Sequence, residues 1–206
     1  MKSKGYLHLV CGPMYSGKSS ELIRLTRREL IAERKVQAFK YGEDNRYSKN
    51  DIASHDKLFI PAEPITSISE IEKKILKETN TLVIDETQFF NSEIIDFGVY
   101  LRDEGMKAIF AGLDLDFRGE PFPFHDSDRH MGELMAKANL SERLSSICTY
   151  ALNGTNCGET AERTQRNIDG KPAPYDSPIK LIGATDNYEA RCIGHHFVPG
   201  KPIFKS

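Results

Sequence analysis

The sequence predicts an α/β fold, a parallel sheet flanked by helices, followed by a small C-terminal unit of different character. Three observations carry this prediction. Short apolar runs alternate with helical patterns through the first two thirds of the chain. The first of those runs ends in a glycine-rich loop that opens a helix. From residue 144 onward the chain has short strand-like pieces, repeated Gly and Pro, and three of the four cysteines. Residues 1–143 therefore read as the α/β domain and 144–206 as a second, smaller unit.

The loop is Gly12-Pro13-Met14-Tyr15-Ser16-Gly17-Lys18-Ser19, which satisfies G-x-x-x-x-G-K-[ST], the phosphate-cradling P-loop. Gly12 and Gly17 allow the backbone to turn and its N–H groups to converge on phosphate oxygens. Lys18 brings a cation to the outer phosphates, and the Ser19 hydroxyl is a ligand for Mg²⁺. Leu7 to Val10 alternates as a strand before it, and Glu21 to Glu33 reads as a helix after it, with Leu22, Ile23, Leu30 and Ile31 at helical spacing. Such a protein binds a nucleoside triphosphate.

The remaining elements follow in order. Val36 to Tyr41 is a second strand, and Gly42 to Lys57 a polar, aperiodic loop. Ser69-Glu70-Ile71-Glu72 fits a capping box opening a short helix, with Ile68, Ile71, Ile75 and Leu76 on its apolar face. Thr81 to Ile84 is a continuous apolar run typical of a buried parallel strand. Ser92 to Glu104 is a helix stopped by Gly105, Lys107 to Ala111 a strand, and Met131 to Ala138 a helix with Met131, Leu134 and Met135 inward. A parallel sheet of this kind binds ligands at the carboxyl ends of its strands.

Two groups of residues there carry chemistry. Asp85, at the end of an apolar strand, can hold Mg²⁺ opposite Ser19, and Glu86 beside it can accept a proton. A base in that position serves an attacking alcohol in a kinase or an attacking water in an ATPase, so the pair does not separate the two. In the C-terminal unit, Cys192-Ile193-Gly194-His195 has the spacing of half a zinc site, and Cys148 with Cys157 supplies the other half. Eight residues separate Cys148 from Cys157, so an insertion must bulge out between them, and His196 is an alternative to His195. A closed structural zinc suits a segment of about 60 residues that cannot build a large core. Cys11 reads as a small buried hydrophobe, and Phe89, Phe90, Phe117, Phe122 and Phe124 on their own fit core packing.

Composition narrows the partners. With 206 residues, 39% hydrophobic, and a formal charge of −2, the chain lacks the basic surface that a nucleic-acid-coating protein needs. No apolar run approaches the roughly 18 residues of a membrane span, and no signal-peptide pattern opens the chain. A cytoplasmic protein is expected, its cysteines thiols or metal ligands rather than disulfides.

Taken together, the blocks GPMYSGKS (12–19), DETQFF (85–90), GLDLDFRGEPF (112–122), TQR (164–166) and Gly183…Tyr188…Cys192-x-x-His195 resemble the cellular-type (type II) thymidine kinases. That family joins a P-loop sheet to a zinc-containing lasso domain, and the likeness runs over nearly the whole chain. The resemblance implies ATP, Mg²⁺ and structural Zn²⁺ as cofactors, a nucleoside as substrate, and a homotetramer. It places ATP on Gly12, Pro13, Met14, Tyr15, Ser16, Gly17, Lys18 and Ser19, with Asp85 and Gln88. It makes Glu86 the proton acceptor for the nucleoside 5′-hydroxyl, and sets Phe89 and Phe117 near the nucleoside. Met14, Leu113 and Thr164 match the pocket around the 5-methyl of the base, and Ile179, Lys180, Leu181, Ile182 and Gly183 with Tyr188 match the lasso that grips thymine. Asp44 and Arg46 match a loop that closes near the phosphates. The Gly, Pro and small polar residues around the lasso read as a mobile cover. The rivals are a P-loop ATPase driving a conformational change, and a zinc module that binds nucleic acid, which the near-neutral charge disfavours.

Overall fold

The structure, a computed structural model, describes residues 4–42, 51–53, 58–179 and 187–202. Its centre is a sheet of six parallel strands in the order β5-β2-β6-β7-β1-β8. These are β1 (Tyr6–Cys11), β2 (Val36–Tyr41), β5 (Glu63–Ile65), β6 (Thr81–Asp85), β7 (Lys107–Gly112) and β8 (Leu140–Arg143). Between them run α1 (Lys18–Ile31), a small antiparallel pair β3 (Asp51–Ala53) and β4 (Phe59–Pro61), α2 (Ile68–Lys74), α3 (Glu93–Asp103) and α4 (Met131–Lys137).

Strand periodicity sorts the core into two layers. Leu7, Leu9 and Cys11 of β1, Leu82 and Ile84 of β6, and Phe110 of β7 face one side, where Ile71, Ile94, Ile95 and Leu134 from α2, α3 and α4 cover them. Val10, Val83 and Ile109 face the other, against Leu22 and Ile23 of α1 and Ile52 and Ile60 of the β3–β4 pair. Covering both faces is what lets Leu82-Val83-Ile84 of β6 and Ala108-Ile109-Phe110 of β7 be apolar without interruption.

Several expectations are corrected. Leu30 and Ile31 lie at the end of α1 and are exposed, so the buried face consists of Leu22, Ile23, Leu25 and Thr26. The cap of α2 is Ser67 rather than Ser69. Glu70 sits in its first turn and accepts hydrogen bonds from the Thr66 N–H and from the Thr66 and Ser67 hydroxyls. Those donors, the Thr66 hydroxyl foremost, hold the Glu70 carboxyl below the usual range. The helix ends at Lys74, which leaves Leu76 outside it and exposed. Phe90, Phe122 and Phe124 are core residues, in agreement with the sequence reading. The polar stretch after Gly42 contains β3, and β5 and β8 join the sheet edges.

Every described strand after Arg143 belongs to a small antiparallel sheet. β9 (Ser146–Ile147) pairs with β12 (Thr160–Ala161), and β10 (Ala151–Leu152) with β11 (Thr155–Asn156). β13 (Arg163–Ile168) is flanked by β14 (Lys171–Pro172) and β15 (Asn187–Arg191). Among the described residues no helix is long and apolar enough to cross a membrane.

The docking of α3 gives a stability test. A Cβ on Gly98 would lie 2.9 Å from the Phe110 ring and 3.2 Å from a Leu7 methyl. In an exposed helix interior Gly→Ala gains about 1 kcal/mol, but overpacking a filled core costs about 1–3 kcal/mol. Packing should win, so Gly98→Ala is expected to lower the melting temperature; a rise would show that α3 docks more loosely than this contact implies.

Candidate functional site

The carboxyl edge of the sheet brings together three loops. β1 runs into the P-loop, where Gly12 (φ 141°) and Gly17 (φ 83°) occupy backbone regions that side chains disfavour. A Cβ on Gly12 would meet the Leu144 carbonyl at 2.4 Å, so this position also needs glycine for close approach. Gly17 is the N-cap of α1, and the loop's N–H groups therefore open at a helix N-terminus, where anions are favoured. The Lys18 ammonium donates to the Pro13 carbonyl at 2.7 Å, holding the cation within the loop.

β6 delivers the acidic pair. The Ser19 hydroxyl donates to Asp85 Oδ2 at 3.3 Å. Adjacent vertices of a Mg²⁺ octahedron with bonds of about 2.1 Å lie about 3.0 Å apart, so these two oxygens fit a shared ion. Glu86 adopts a left-handed conformation (φ 54°, ψ 42°), its N–H donating to Asp85 Oδ1 at 2.9 Å. Strain of this kind in a non-glycine residue persists where the surroundings over-determine it. Gln88 is buried: its amide N–H donates to Glu86 Oε2 at 2.6 Å, and its oxygen accepts the Leu113 N–H at 3.0 Å.

The third loop follows β7 and faces the C-terminal segment. Asp116 accepts the N–H groups of Arg118 and Glu120, and the Arg118 guanidinium besides, building the turn that presents Phe117. Phe117 packs with Ala173, Val198 and Ile179; Ile179 also reaches the cluster that includes Phe89 and Leu113. Two contacts fasten the P-loop to β13 and β15. The Met14 N–H donates to the Thr164 hydroxyl at 3.0 Å, and the Tyr15 hydroxyl donates to the Tyr188 carbonyl at 3.0 Å. Met14 is thus brought to Thr164, and Phe89, Leu113 and Phe117 are connected through Ile179. Asp44, Arg46, Lys180, Leu181, Ile182 and Gly183, and with them most of the expected lasso, lie outside the described residues.

Sequence reasoning missed Arg166. It is fully buried, lies 5.4 Å over the Phe117 ring, and donates to the Pro178 carbonyl at 2.5 Å. An Arg inside a strand gives no sign of which ring it will cover.

Cys148, Cys157, Cys192 and His195 form a second cluster, their ligand atoms all within 4.8 Å of one another. His195 Nδ1 lies 3.7 Å from Cys148 Sγ and 3.3 Å from Cys192 Sγ. A zinc tetrahedron with bonds of about 2.0–2.3 Å has edges of about 3.5–3.8 Å, so the donor set and its spacing fit zinc. The long gap between the first two cysteines is a β-hairpin, β10–β11, turning at Asn153 (φ 51°) and Gly154 (φ 82°). At its base the Cys157 N–H donates to the Tyr150 carbonyl and the Gly158 N–H to the Cys148 carbonyl, which restores the cysteines to one another. Tyr150 stacks on the His195 ring at 4.3 Å. His196 Nε2 instead donates to the Phe117 carbonyl at 2.8 Å, leaving His195 as the cluster's histidine. Burial pushes the Cys148 thiol up, but hydrogen bonds led by the backbone of Cys192 and Tyr150 outweigh it and bring the pKa to about 6. Cys11 contrasts with this: burial, then Asp114, push its thiol up to about 12, as expected of an inert core cysteine.

A phosphate loop and an acidic strand end on the carboxyl edge of a parallel sheet define a P-loop nucleotide-binding protein. The thymidine kinase family model matches residues 5–196, and the chain belongs to that family. It is accordingly a nucleoside kinase by family. Among solved structures, the flagellar accessory protein FlaH from Methanocaldococcus jannaschii is similar, with a TM-score of 0.47 at 12% identity over 74% of this chain and 75% of that one.

The metal cluster yields a direct test. Purified protein should carry about one zinc per chain, and Cys148→Ala should lose it, since three ligands hold structural zinc poorly. Full zinc retention in Cys148→Ala would move the fourth ligand elsewhere.

Proposed function

We propose that the protein transfers the γ-phosphoryl group of ATP to the 5′-hydroxyl of thymidine, giving thymidine monophosphate. The observation that carries this is the position of Glu86, next to Asp85 of the Ser19–Asp85 pair and linked through the Gln88 amide to Leu113, which packs on the same apolar cluster as Phe89. A base serving bulk water would need no such link to an apolar cluster.

In this reading the P-loop N–H groups and Lys18 hold the β- and γ-phosphates. Mg²⁺ at Ser19 and Asp85 would offset charge on the phosphates when bound. Glu86 accepts the proton of the 5′-hydroxyl as that oxygen bonds to the γ-phosphorus in line, the bond from phosphorus to the β–γ bridging oxygen breaks and ADP leaves, and Lys18 faces the charge that develops on the transferred group. Phe89, Phe117 and Leu113 supply apolar contact to the base and its methyl, worth about 1–3 kcal/mol of selectivity. A cleft of about 620 Å³ that starts at Gly17 and Ser20 and runs past Ile23, Arg24 and Leu144 suits the adenosine half of ATP. Zinc at the Cys₃His cluster would cross-link the segment carrying Thr164 and Tyr188. The assembly is proposed to be a cytoplasmic homotetramer that acts on small molecules, without nucleic-acid or membrane partners. The exposed Leu30 and Phe59 offer apolar surface for subunit contact.

Label transfer from γ-labelled ATP across a panel of nucleosides tests the reading. Thymidine should take up label far faster than phosphate is released to water, and Glu86→Gln should lower turnover roughly 10²–10⁴-fold with both substrates still bound. Equal phosphate release with and without any nucleoside would instead support an ATPase.

A further inference from the structure

Gln88 lies two residues beyond the proposed base and is 2% exposed. Its side chain spans two elements. The oxygen accepts from Leu113 N–H, just past β7, and the nitrogen donates to the Glu86 carboxylate, just past β6. A backbone N–H can only donate, so it fixes which end of the amide is oxygen and leaves the N–H end for Glu86. The β7 strand end is shaped around this amide. A Cβ on Gly112 would lie 2.5 Å from the Gln88 oxygen and would have to displace it.

We propose that Gln88 is the positioning residue for Glu86, a role that rests on Glu86 being the base. The backbone of Glu86 is already held, through its N–H on Asp85 and its carbonyl accepting from Phe89 N–H. A glutamate carboxylate ends a flexible side chain, whose ordering costs conformational entropy. A charge-assisted bond of 2.6 Å to Oε2 contributes to that order. The other end of the amide is tied to Leu113, which packs on the same apolar cluster as Phe89. One side chain therefore sets the distance between the base and the loop that holds its substrate. This assignment differs from a nucleotide-contacting role, which the sequence resemblance implies for Gln88.

A double-mutant cycle tests it, with ATP and thymidine as substrates and melting curves for every variant. Gln88→Met removes both hydrogen bonds at nearly constant length. Gln88→Glu keeps the acceptor for Leu113 N–H and replaces the amide donor with a second carboxyl, which repels Glu86 or shares its proton. Both should lower kcat about 10–100-fold, with the KM values for ATP and thymidine changed less than about twofold. In a Glu86→Gln background the same change at Gln88 should cost under about threefold, because no base remains to be positioned. A raised KM for ATP with kcat kept would make Gln88 a nucleotide contact and overturn the proposal. So would an undiminished loss in the Glu86→Gln background. If Gln88→Met does not fold, Gln88→Glu carries the same cycle. Unchanged turnover in Glu86→Gln alone would remove the base itself, an outcome distinct from failure at Gln88.

Discussion

Parallel strands end on one edge, and that constraint organises this molecule. β1, β6 and β7 are hydrogen-bonded side by side in register, so Cys11, Asp85 and Gly112 finish at one level. The residues that follow them are the P-loop, the Asp85–Glu86 pair and the loop that begins at Leu113. No long-range recognition is needed to gather these three loops. The connections between successive parallel strands each return the chain to the same starting edge and bring them together. The apolar packing on both faces fixes the register, since a slip of one residue would turn each strand's core residues to the wrong layer.

The C-terminal segment solves a different problem. It is too short and too polar for a large core, and its buried apolar clusters are small. Its order comes from cross-links of another kind: a Cys₃His donor set suited to zinc, and β13 at the centre of a three-stranded sheet. β13 in turn carries Thr164, whose hydroxyl accepts from the P-loop, and Arg166, which ties Phe117 to Pro178. Further contacts tie this segment to the loop after β7: His196 donates to the Phe117 carbonyl, and Lys201 to the Arg118 carbonyl.

Much of this was legible in the sequence, for identifiable reasons. The P-loop and the strands around it are local patterns whose meaning survives folding. The edge strands were not legible: β5 contains Pro64, and β8 reads Leu-Ser-Glu-Arg with little apolar signal. Leu30 and Ile31 follow helical spacing yet face out, because periodicity cannot say where the neighbouring layer stops. The Cys148–Cys157 gap was readable in part, since Asn153-Gly154 is a strong two-residue hairpin signal. Choosing His195 over His196 required knowing that the Phe117 carbonyl lies beside the latter. The amide of Gln88 looked like one more polar residue in a nucleotide motif; its partner Leu113 lies 25 residues away, on a strand end that only folding brings near.

The central claim is geometric: an acceptor hydroxyl sits between Glu86 and the terminal phosphate held by the P-loop. A crystal structure with thymidine and a non-hydrolysable ATP analogue measures this directly. The account predicts the 5′-oxygen within about 3 Å of a Glu86 carboxylate oxygen and in line with the γ-phosphorus, the base lying among Phe89, Leu113, Phe117 and Thr164. A nucleoside bound elsewhere, or a Glu86 carboxylate turned from it toward bulk water, would contradict the account.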